Sequence, residues 1–189
     1  MFSPPRPLQL LLRCLDGITA FIGAFIPWLT LALVLVTCVV VIMRYAFSTG
    51  SIALQESMIY LHSAIFMLGM AWTLRQGGHV RVDVFYRDAS PRVRAWVDVA
   101  GGLVFLLPLC VLIFWMSWDY VINSWAIREK SSEGTGLPYV YLLKTLLLAM
   151  PVTLLLQGVA ETLRNLLLAL GFAAGNRTAE PGNSGREQP

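Results

Sequence analysis

"GITAFIGAFIPWLTLALVLVTCVVVIM", residues 17–43, runs for 27 residues between Asp16 and Arg44 without an Asp, Glu, Lys, Arg or His. A helix rises about 1.5 Å per residue, and about 20 apolar residues cross a hydrocarbon core of about 30 Å. The stretch is long enough to span a bilayer, with residues to spare for tilt or extension past the core. Three further runs are free or nearly free of Asp, Glu, Lys and Arg. Eighteen residues separate Glu56 from Arg75, twenty separate Asp98 from Asp119, and 134–160 carries one charge, Lys144. Four spans follow, at about 17–44, 56–75, 94–120 and 138–162. The sequence thus predicts an all-α integral membrane protein with four transmembrane helices. Composition agrees: 57% of residues are hydrophobic and 13% charged, against about 25% charged in soluble domains.

Arg6 and Arg13 precede span 1 as in a signal peptide, but the apolar run is too long and no small-x-small cleavage pattern closes it. It reads as a retained signal-anchor. Residues 1–16 form a cytoplasmic or interfacial segment, in which "PLQLLLRCL" (7–15) is expected to lie along the interface as an N-terminal helix, leucines down and Arg13 up. The four-helix membrane domain is expected over 17–174. The tail 175–189, polar and rich in Gly and Pro, is expected to be disordered and cytoplasmic. In "ASPR" (89–92), Ser90 reads as an N-cap and Pro91 as the first helical residue of span 3. Pro27, Pro108 and Pro151 fall inside spans, where neighbouring helices satisfy the freed carbonyls, so they are expected to face protein.

Cations set the orientation. Arg6, Arg13, Arg75, Arg81, Arg87, Arg92, Arg94, Arg164, Arg177 and Arg186 fall at one face, against Arg44, Arg128, Lys130 and Lys144 at the other. Cytoplasmic loops retain Lys and Arg, so both termini and the 75–94 loop are expected inside. The net charge of +3 is then a topology signal, and no nucleic-acid partner is expected. Trp72, Phe85, Tyr86 and Trp96 fall near the inner surface. Tyr45, Tyr60, Trp118, Tyr120, Trp125, Tyr139 and Tyr141 fall near the outer one, as amphipathic rings at headgroup depth do. Trp28 and Trp115 sit deeper and read as helix-packing residues.

Chemistry is sparse. Cys14, Cys38 and Cys110 lie in or beside different spans with no CxxC, so they read as small apolar side chains. The two histidines, His62 and His79, are seventeen residues apart, or about 25 Å along a helix, and cannot ligate one iron together. Asp16, Glu56, Asp98, Asp119 and Glu161 sit at span ends. No carboxylate holds the mid-membrane position that a proton-coupled pump requires. The sequence has no G-x-S-x-G, HExxH or GxxxxGK[ST] motif, and no internal repeat of the kind that builds a transporter core. An enzyme is not expected, nor a cofactor or metal.

What remains is polar chemistry at the span ends. Arg44 and Glu56 flank the short outer turn, and Arg128, Glu129, Lys130 and Glu133 populate the outer loop. At the inner end "RQGGHVRVD" (75–83) interleaves Arg75, His79, Arg81 and Asp83 with valines, after a Gly77–Gly78 pair that permits a sharp turn. Solvated or snorkelling anchors are the plain reading of each charge. The alternation favours an embedded cluster at a subunit or lipid interface, suited to anionic phospholipid headgroups or a partner protein.

Here the sequence resembles the small membrane subunit of tripartite ATP-independent periplasmic (TRAP) transporters, the DctQ-like proteins. "RYAFSTGSIALQES" (44–57) is similar to the family's Arg-Tyr exit from span 1 and acidic entry to span 2. "LGMAWTLRQGGHVRVDVFY" (68–86) is similar to its most recognisable stretch, with Arg75, Gly78, His79, Arg81 and Asp83. "WAIREKSSEGTGLPYVYLLK" (125–144) looks like a form found in one branch. The likeness covers roughly 15–165; Gln55 departs from it, standing where many relatives have a second acidic residue. The resemblance implies an accessory subunit in a bacterial inner membrane. Its partners would be a large many-helix subunit, which holds the substrate and sodium sites, and a periplasmic binding protein that delivers the substrate, commonly an organic acid. The alternatives are a haem-binding subunit or a four-helix scaffold of another membrane complex.

The topology is testable by labelling. A cysteine probe at Ser132 should react with an impermeant reagent from outside and one at Ser90 should not; the reverse would overturn the orientation.

Overall fold

A computed structural model describes residues 5–78 and 90–171. Its helices are α1 (Arg6–Ala46), α2 (Ile52–Arg75), α3 (Pro91–Gly101), α4 (Leu107–Ala126) and α5 (Val140–Ala169), with one π-helical turn at Gly102–Leu106 joining α3 to α4. Four helical stretches are long and apolar enough to cross a membrane: α1, α2, the joined α3–α4 unit and α5. The segment 7–15 is helical and continuous with span 1.

Local chemistry fixes the boundaries. The Ser51 hydroxyl accepts from Leu54 N (3.5 Å) at the start of α2, and the Ser90 hydroxyl accepts from Val93 N (3.4 Å) at the start of α3. Each satisfies a backbone donor that the first helical turn leaves open. Pro91 occupies the first turn, where its missing N–H costs nothing. Pro108 is different, since its ring has no N–H and crowds the carbonyl four residues earlier. The chain answers with the wider π turn just before it, in which Leu107 N donates to Gly102 O.

The helices form an open row. α1 packs on α2, α2 on α5, and α5 on α3, the π turn and α4, while α1 also touches α5. Among the described residues neither α1 nor α2 contacts α3 or α4. α5 is therefore the central helix, and it carries half of the described buried residues: Pro151, Leu154, Gln157, Gly158, Ala160, Thr162, Asn165 and Ala169. Small residues bring the backbones close, as membrane packing requires when lipid tails are as apolar as leucine. A Cβ at Gly23 would overlap the Trp72 indole, one at Gly102 the Thr162 side chain, and one at Gly158 the Leu106 side chain.

Two expectations are not met within the chain itself. Of the three span prolines only Pro151 is buried against protein; Pro27 and Pro108 are exposed on the outer surfaces of α1 and α4. Trp28 and Trp115 likewise do not pack against the chain's own helices, being 69% and 79% exposed. The reason is the open row: α1 and α4 each have helical neighbours on one side only.

Gly23→Ala should lower the stability of the detergent-solubilised chain by about 1–3 kcal/mol, because the Trp72 ring must move. Gly17→Ala, with nothing within 4 Å of the added methyl, should leave stability unchanged or raise it by up to about 1 kcal/mol. Thermal unfolding of the two variants side by side checks this.

Candidate functional site

Polar side chains gather at the two ends of the row. At one end lie the first turns of α1, the last turn of α2 and the last turns of α5. Asp16 on α1 is the centre. Its Oδ2 accepts from Arg164 Nη2 of α5 at 2.7 Å, its Oδ1 accepts a long bond from Gln157 Nε2 at 3.4 Å, and Arg75 Nε of α2 approaches Oδ1 to 3.9 Å. Arg164 is forked: Nη1 donates to Glu161 Oε1 at 2.6 Å, one turn back on the same helix. Arg75 also lies over the Trp72 ring, 5.2 Å from its centroid. The Arg164 side chain is 12% exposed and Asp16 23%. Such charges near hydrocarbon are tolerable only when paired and hydrogen-bonded. Gln157 is fully buried beneath them, and its Oε1 has no hydrogen-bond partner among the described residues.

The opposite end is organised by Glu56, in the second turn of α2. Rather than capping its own helix, it reaches the loop 127–139. Oε2 accepts from Leu137 N at 2.6 Å, and Oε1 accepts from the Ser131 hydroxyl. Ser131 N donates to Leu137 O at 3.2 Å, closing the loop on itself. Gly136 is required by this closure, since a Cβ there would overlap Ser131 and Glu56 Oε1. A second pair stands beside it. Lys144 of α5 donates to Glu129 and lies 3.9 Å above the Tyr120 ring. Trp125 Nε1 donates to Thr145 Oγ1 at 2.9 Å and meets Tyr141 edge-on, centroids 4.8 Å apart. The hydrogen bond from Lys144 holds the Glu129 carboxyl below its ordinary pKa.

The residues singled out from sequence are thus divided. Arg75 joins Asp16, Gln157, Glu161 and Arg164; His79, Arg81 and Asp83 lie outside the described residues. Glu56 and Glu129 become loop fasteners. Arg44, Arg128, Lys130 and Glu133 are exposed at that same end, Arg128 with a left-handed φ of 46°. His62 is exposed on α2, and among the described residues no cluster of three or more His, Cys, Asp or Glu could hold a metal ion. Sequence reasoning named Asp16 and Glu161 only as span-end charges and did not pair them with Arg75 and Arg164. Their shared depth at the span ends was the available signal.

The geometry defines a membrane-embedded helical subunit: two polar clasps, an apolar middle and no catalytic constellation among the described residues. Residues 33–168 match the family described as Tripartite ATP-independent periplasmic transporters, DctQ component, and the chain belongs to that family. No curated protein and no solved structure matches the chain. It is therefore a multi-pass membrane component of a TRAP transporter.

Two outcomes follow. Arg164→Ala leaves Asp16 and Glu161 without their shared cation, whereas Asp16→Asn leaves Arg164 with Glu161. The first should cost about 2–3 kcal/mol and exceed the second, since unpairing buried charge is the expensive event; unfolding of both variants in one detergent checks the order. For the loop, the sign follows from Glu129. A depressed carboxyl pKa contributes stability that is complete above the free value of about 4.3 and is lost as pH falls through the lower folded value. Thiol labelling at Ser132 is divided by the rate of the same reagent on an unstructured cysteine peptide at each pH, which removes the thiolate dependence. Protection should be unchanged from neutrality to a pH of about 5 and lost in stronger acid.

Proposed function

We propose that this chain is the static scaffold subunit of a TRAP-type secondary transporter, anchoring a large many-helix subunit during ion-gradient-driven uptake. The observation that carries this reading is the distribution of polar groups. Alternating access needs a midplane site of broken helices and polar side chains, open to each side in turn. Here the charged pairs sit in intramolecular clasps at the helix ends, and Gln157, the largest fully buried side chain, bonds to Asp16 within one of them. Helices fastened at both ends support something else's movement.

In this reading the Asp16 end is cytoplasmic, in line with the ten-to-four cation asymmetry, and the membrane is a bacterial inner membrane. The large subunit holds the substrate and ion sites, sodium being the proposed coupling ion. A periplasmic binding protein delivers the substrate, an organic acid by family resemblance, and the Glu56-fastened loop offers it Arg128, Lys130 and Glu133. Arg75, with His79, Arg81 and Asp83, is assigned to the inner contact with the large subunit or anionic phospholipids.

Vesicles containing this chain alone should accumulate no solute under a sodium gradient. Vesicles that also hold the large subunit, with the binding protein outside, should accumulate substrate. Uptake by this chain alone would refute the scaffold reading.

A further inference from the structure

Trp28 is out of place for a lipid-facing residue. Asp16, at the clasp end, lies twelve residues before it, or about 18 Å along the helix. Thr37, whose hydroxyl contacts Met58 Sδ beside Glu56 at the opposite end, lies nine residues after it, or about 14 Å. In a core of about 30 Å this puts Trp28 close to the bilayer midplane. Tryptophan ordinarily keeps to the membrane interfaces, where its N–H reaches water or headgroups. At the midplane neither is present, and acyl chains accept no hydrogen bond. The Trp28 side chain is 69% exposed and its indole N–H makes no hydrogen bond to the described residues. Trp115 does not share this predicament, because it stands one turn from the charged residue Asp119.

The surface around Trp28 is an exposed apolar seam along α1. Phe21, Trp28, Leu35 and Ile42 recur at seven-residue spacing and are 67%, 69%, 57% and 54% exposed. Residues seven apart share one face of a helix, so Trp28 stands within a column of exposed large side chains. Gly17, Ala24, Leu31 and Cys38 fall on the adjacent seven-residue register, and the small side chains among them leave low points beside Phe21 and Trp28. Phe21 is braced edge-on by Phe25, centroids 5.0 Å apart.

We propose that this face of α1 seats a transmembrane helix of the large TRAP subunit, which presents a hydrogen-bond acceptor to the Trp28 indole at mid-membrane depth. The proposal rests on the scaffold reading above and adds to it the contact face and the anchor residue. A second copy of this chain fits less well. In a two-fold pair the seam meets itself, indole donor against indole donor, with Phe21, Leu31 and Leu35 offering no acceptor.

The test uses the full chain co-expressed with its large subunit and a photo-crosslinking benzophenone residue at Phe21 or Leu35. Illumination of the membranes should join the chain to the large subunit from both positions, read by mass and by peptide identification. Adducts confined to lipid, or to a second copy of the chain, would overturn the proposal. In parallel, W28A should lower the large subunit recovered with the tagged chain about tenfold, as for a central tryptophan anchor. W28F, which removes the donor and keeps most of the ring, should lower it about threefold. Because Trp28 makes no packing contribution to its own chain, the elution profile of the purified variants should match that of the wild type. Full recovery with W28A would also overturn the proposal. If the wild-type chain recovers the large subunit yet neither position crosslinks to it, the α1 face is wrong and the scaffold reading stands. If the wild-type chain recovers no large subunit, the scaffold reading itself fails.

Discussion

An ionised side chain beside hydrocarbon must be neutralised by a partner or by water, and the Asp16 carboxylate meets that requirement with groups from two other helices. Arg164 of α5 binds it directly, Arg75 of α2 stands close, and Gln157 contributes an amide from below. Much else depends on this arrangement. It fixes the ends of α1, α2 and α5 at one level, and so sets the depth of every residue between that clasp and the Glu56 end. It also makes α5 central, because only α5 reaches both α1–α2 and α3–α4. At the other end Glu56 and the Glu129–Lys144 pair tie the loop 127–139 to α2 and α5. Polar fastening at two levels leaves the apolar middle free to be shaped by close glycine contacts alone.

The four spans were legible because hydrocarbon thickness imposes a length, and 27 uncharged residues satisfy it whatever the tertiary structure. Ser90 and Pro91 were legible because capping is local chemistry. Helix pairing was not. In a membrane both the protein-facing and lipid-facing sides of a helix are apolar, so α1 shows no stripe that says where α2 lies. For that reason Pro27, Pro108, Trp28 and Trp115 were expected against protein and stand on the outer surfaces of the row. Arg75 illustrates a complementary gap. The sequence set it beside His79, Arg81 and Asp83, which lie outside the described residues, and gave no sign that it also approaches a carboxylate on the preceding span. Glu56 was recognised as a family feature at the entry to span 2. Its role as acceptor for Leu137 N required a contact across most of two spans, which no periodicity encodes.

These features suit a component that holds position while a partner moves. A carrier exchanges polar contacts between two arrangements, and needs some of them near the midplane; this chain keeps its charged contacts at the ends and within itself. Its row of helices is covered on one side of α1 and one side of α4 only, leaving broad apolar surfaces. The mid-depth indole on α1 distinguishes one of those surfaces from simple lipid contact. Membership of the DctQ component family and the physical reading of the fold therefore converge on an accessory place in a larger assembly.

The most direct measurement is native mass spectrometry of the assembly released from membranes through a tag on this chain. The account predicts a complex in which the chain is accompanied by a large polytopic TRAP subunit. Release of the chain alone, or only as copies of itself, from membranes in which that subunit is present would contradict it.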